Sequence, residues 1–159
     1  MTELDAVRDA YLSLVGCQTV TAELLRKSSK GRTFHGTGFL SQPVDETRRL
    51  LAQAKTELDD WAIVGLASTF ERLLFKQERS PLRRQPLRKG AEGLHDAIKP
   101  FEKRIARRTY TEVERLCFYR DWVVHGKRWE KSAHADSVSA YQQLVDFLTQ
   151  AGLETKTHD

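Results

Sequence analysis

From about Pro43 to Gln77 apolar residues recur at steps of three and four, on one face at first and nearly all round after Trp61. A pattern this long commits the chain to helix, and its second half to a buried position. No other segment alternates in the manner of a strand, so the expected fold class is all-α, a bundle of about five to six helices. At 159 residues the chain is read as a single helical domain over 1–159, with an N-terminal helical segment and loop at 1–42 and a core bundle at 43–151.

The remaining elements follow from the same periodicity. Leu4, Val7, Tyr11, Leu14 and Val15 mark a first amphipathic helix, resuming after Gly16 through Leu24 and Leu25. KSSKGRTFHGTGFLSQP then breaks the pattern. It matches no phosphate-loop spacing and reads as a connector. ERSPLRRQPLRKG carries two prolines among basic residues and reads as an exposed linker, suited to clamping a nucleic-acid backbone. Leu94, Ile98, Phe101 and Ile105 mark a helix kinked or divided at Pro100. Asp136 is placed to cap a last helix built on Val138, Tyr141, Leu144, Val145 and Leu148, which Gly152 ends.

Charge narrows the class of partner. The formal charge is only +4, yet residues 72–131 hold seventeen Lys and Arg against eight Asp and Glu. A basic middle on a slightly acidic frame suits a polyanion such as RNA, although solvated helix faces show similar excesses. Cys17 and Cys117 lack disulfide or zinc spacing and are expected as core fillers in a reducing, cytoplasmic setting. No apolar run has membrane-spanning length, and the acidic, amphipathic start is unlike a secretory signal.

YRDWVVHGKRW, residues 119–129, concentrates the chemistry. TEVE reads as a capping box that starts this helix near Thr111, with Glu114 reaching back, and Gly126 is its natural terminator. At about 100° per residue, Val113, Leu116, Cys117, Val123 and Val124 share one sector with Arg120 at its centre. A guanidinium there needs a carboxylate or an anionic ligand. Glu71, on one stripe with Val64, Ala67 and Leu74, is the internal candidate, and a structural ion pair is the plain reading of both residues. On the other side Phe118, Trp122 and His125 form a second cluster, a seam for a second copy of the chain or, alternatively, another contact within one chain.

Arginine and histidine with four to six residues between them also occur as Arg88 with His95 and Arg128 with His134, but only Arg120 and His125 lie inside one strongly specified helix. YRDWVVHGK resembles the R-x4-6-H signature of HEPN domains, small all-helical proteins prominent among RNA-cleaving toxins and defence proteins. The resemblance covers about ten residues, with weaker support from ASTFERLL upstream. It implies a metal-independent endoribonuclease that needs no cofactor, in which the RNA 2′-hydroxyl attacks its neighbouring phosphate. Arg120 would stabilise the phosphoryl oxygens and His125 would move protons, with Asp121 orienting one of them and Glu71 in support. Lys127, Arg128, Arg83, Arg84 and Arg88 would hold the RNA backbone, and Trp122 or Trp129 would stack on a base, though core packing suits Trp122 better.

Five residues of helix separate Arg120 and His125 by about 7.5 Å of rise and about 140° of rotation, so a homodimer with a composite site is expected. An antitoxin or sensor protein is a further expected partner. Some HEPN toxins carry, two positions beyond the histidine, a tyrosine that a partner nucleotidyltransferase modifies; Lys127 stands there in this chain. The rival reading is a non-catalytic HEPN-like module that binds RNA, nucleotide or a protein partner.

Overall fold

The computed structural model describes residues 2–27, 37, 42–76, 93–126 and 136–153. Among these there are five α-helices and no strand: α1 (Glu3–Lys27), α2 (Val44–Lys76), α3 (Gly93–Ile98) continued by a 3-10 turn (Lys99–Phe101), α4 (Arg107–Val124) and α5 (Ser137–Gln150). The chain is all-α, as the periodicity requires. No described helix is long and apolar enough to cross a membrane. α1 is continuous through Gly16, whose helical penalty of about 1 kcal/mol the rest of the helix absorbs.

The chain divides into two compact units, Met1–Arg8 with Asp60–Asp159, and Asp9–Asp59. In the second, Tyr11 donates to Asp59 Oδ1 at 2.5 Å and the Gln18 amide donates to the Leu51 carbonyl. Surface pairs one turn apart, Arg48 with Asp45, Arg49 with Glu46 and Lys55 with Asp59, support the start of α2. Cys17, expected in a core, is exposed, as are Leu14 and Leu24.

The larger unit holds the hydrophobic core. Ile63, Leu66, Phe70 and Leu74 of α2 pack with Leu94 and Ile98 of α3, Phe101 of the turn, Val113 and Leu116 of α4, and Leu144, Phe147 and Leu148 of α5. Phe147 meets Phe70 and Phe101 edge-on, with centroids 5.2 and 5.5 Å apart. Trp61 and Phe75 stay exposed, so the buried face of α2 is wide but not complete. Pro100 closes α3 into the 3-10 turn, so that of a kink and a division the chain takes the division. Asp136 Oδ2 accepts from the Ser139 N–H at 2.8 Å, and Gly152 leaves α5 at φ 67°, a conformation that favours glycine.

The entry into α1 carries a cap that the sequence analysis did not identify. Thr2 Oγ1 accepts from the Asp5 N–H at 2.9 Å while Asp5 Oδ2 accepts from the Thr2 N–H at 2.7 Å. Tyr141 of α5 donates to Asp5 Oδ1, and Arg8 lies 4.5 Å from the Tyr141 ring centre. The Tyr141 hydroxyl first, then the Thr2 N–H, hold the Asp5 carboxyl at about 2, below the usual 3.8. Because the folded value is the lower one, the stabilisation is complete above about pH 4 and is lost as pH falls through about 2. Thermal melts across that window are expected to show a declining acid limb that Tyr141→Phe flattens.

Candidate functional site

α4 begins at Arg107, with Ala106 as its N-cap and no side-chain cap, rather than near Thr111. The reason is tertiary. Gln150, the last residue of α5, accepts from the Ala106 N–H through Oε1 at 2.9 Å and donates through Nε2 to Thr109 Oγ1 at 3.0 Å. Thr109 and Tyr110 are buried in that first turn. Glu114, read from sequence as half of a capping box, instead faces His95, with Oε1 3.9 Å from Nε2.

The buried stripe of α4 rotates along its length. Val113, Leu116 and Cys117 line the core as expected, but the next buried residues are Tyr119 and Trp122, about 240° and 180° round from Val113. Tyr119 donates to Oδ1 of Asp60, which is 3% exposed, and its ring lies 5.5 Å from that of Trp122. This buried tyrosine–aspartate bond escaped sequence reasoning; the only signal was an aspartate at the start of a buried helical run. Trp122 is therefore core, neither a seam nor a stacking platform, and Val124, placed in the core sector, is half exposed. Burial pushes the Cys117 thiol up to about 12, so it is no nucleophile at neutral pH.

That rotation leaves Arg120 at the margin of the core rather than at its centre. Its side chain is 21% exposed. Nη1 donates to Asp121 Oδ1 at 2.8 Å and Nη2 lies 3.6 Å from Glu71 Oε2, an ion pair too long for a hydrogen bond. Nε is enclosed without a hydrogen-bond partner. The Glu71 pairing read from the sequence is thus realised in looser form, and the side chain stays partly exposed while its one unpartnered donor, Nε, is enclosed.

His125 is the exposed C-cap of α4. Its N–H donates to the Asp121 carbonyl at 2.9 Å, and Gly126, at φ 75°, ends the helix by donating to the Val123 carbonyl at 3.0 Å. Asp121 therefore touches both candidates, through its carboxylate to Arg120 and its carbonyl to His125. Phe118 is 52% exposed, its ring 5.0 Å from that of His95. Lys127, Arg128, Trp129, Arg83, Arg84 and Arg88 lie outside the described residues. Arg120, Asp121 and Glu71 are brought together, and His125 stands about 7.5 Å further along the axis.

Set against models of protein families, curated proteins and solved structures, the chain finds no match in any of the three comparisons.

Proposed function

We propose that this chain is a metal-independent endoribonuclease of the HEPN kind. The observation that carries the reading is the state of Arg120: a guanidinium held by Asp121 and Glu71 yet partly open to solvent, five residues before an exposed histidine at the end of the same helix. Such a group is ready to meet charge developing on phosphoryl oxygens, and an imidazole is suited to moving the 2′-hydroxyl and leaving-group protons. A second copy of the chain, brought close along the exposed Phe118 and His125 side of α4, would set two such pairs around one strand. With Trp122 committed to the core, that seam is narrower than the sequence implies. A toxin or defence role in the cytoplasm, restrained by an antitoxin or sensor, belongs to the same proposal.

The test is cleavage of end-labelled RNA with chelator present by wild type, Arg120→Ala and His125→Ala. Wild type cuts and both variants lose activity. Equal activity in all three points to a contaminating nuclease. Absence of cutting with RNA binding retained supports the non-catalytic module, which the ion pairing of Arg120 also favours. Stability separates the roles: with Arg120 and Glu71 both partly exposed, Arg120→Ala is expected to cost only about 1 kcal/mol in urea unfolding. A loss of about 3–5 kcal/mol, the range for breaking a buried pair, would make the residue structural.

A further inference from the structure

Towards the other end of α4 lies a cleft of about 670 Å3 formed by α3, the 3-10 turn and the first turns of α4. Its size is that of a small-ligand site. Lys103 and Arg107 line it, exposed, and no carboxylate pairs with either among the described residues. Two unneutralised cations beside a polar cleft favour an anion. His95 also lines it, its Nε2 facing Glu114 and its Nδ1 enclosed without a partner. Glu102 and Glu114 add carboxylates to the wall, which argues against a bare inorganic anion and for one that also carries hydroxyls.

The cleft and His125 share one face of α4. At about 100° per residue Glu114, Phe118, Asp121 and His125 fall within about 30° of a single line, and Glu114 to His125 spans about 16.5 Å of helix. Phe118, half exposed beside His95, lies between the two ends.

We propose that the His95 cleft is a nucleotide subsite for single-stranded RNA. Lys103 and Arg107 take a backbone phosphate, Glu102 and Glu114 accept from ribose hydroxyls, and Phe118 offers its face to a base. The strand then continues along the same face of α4 to His125. That last step rests on the ribonuclease reading; binding in the cleft does not.

The experiment measures the Kd of a fluorescent single-stranded oligoribonucleotide for the full chain carrying His125→Ala, at physiological ionic strength. Adding Lys103→Glu and Arg107→Glu is expected to weaken binding by about tenfold or more and to make its salt dependence shallower. The matched reversal Arg48→Glu with Arg49→Glu, on α2 in the other unit, controls for net charge and is expected to leave Kd within about twofold. A deoxyribose strand of the same sequence is expected to bind more weakly, because the carboxylates lose their hydroxyl partners. All four substituted residues are exposed, and circular dichroism melts verify folding, with Lys103→Gln and Arg107→Gln replacing any reversal that does not fold. An unchanged Kd, or equal weakening by both reversals, overturns the subsite. Displacement of the strand by a mononucleotide at equal concentration assigns the cleft to free nucleotide and overturns it too. Cleavage by wild type is scored separately: cutting without the Kd effect sinks the subsite alone, and the Kd effect without cutting sinks the ribonuclease reading alone.

Discussion

Phe147→Ala is expected to lower the free energy of unfolding by about 3–5 kcal/mol, with the midpoint in urea falling and the slope little changed. Phe147 is fully buried on α5, edge-on to Phe70 of α2 and to Phe101 of the 3-10 turn, so its truncation empties the point where three elements meet. Neighbours in a close-packed interior relax only partly into such a gap. A domain stable by about 5–15 kcal/mol would lose a large share of its margin. A cost below about 1 kcal/mol would mean that these three elements do not share one core.

His125→Ala is expected to slow RNA cleavage by about 10²- to 10⁴-fold while leaving the urea midpoint nearly unchanged, because the side chain is exposed at the end of α4. His125→Gln is expected to do no better. Glutamine keeps hydrogen-bonding capacity and loses the ability to carry a proton, so it separates proton transfer from positioning. Rescue of more than about a tenth of wild-type activity by glutamine would assign His125 a binding role and remove it from the chemistry.

The parts of the fold legible in the sequence are those that local physics decides. The long apolar period gave α2 its bounds to within a residue, Asp136 and Gly152 framed α5, and the need to neutralise Arg120 pointed to Glu71. The errors arise where a distant residue decides. Gln150 pins the start of α4 four residues before the capping-box motif, and no window around Thr111 contains that information. Trp122 sits in the core, as its packing suggested, but Tyr119 turns inward to the buried Asp60, and the buried stripe turns with it. The same turn exposes Val124 and moves Arg120 to the rim, which leaves its side chain partly exposed. The His95 cleft was invisible for a related reason: His95 and Lys103 come from one segment and Arg107 and Glu114 from the next, each ordinary for a solvated helix face until the two pack together.

In the proposed reaction Arg120 and His125 drive attack of a ribose hydroxyl on its own phosphate. End-group analysis of RNA cut by the wild-type chain in excess chelator is the sharpest check of this reaction: 2′,3′-cyclic phosphate is expected on the upstream fragment and a free 5′-hydroxyl on the downstream one. Fragments ending in 3′-hydroxyl and 5′-phosphate, or intact RNA at every enzyme concentration, would contradict it.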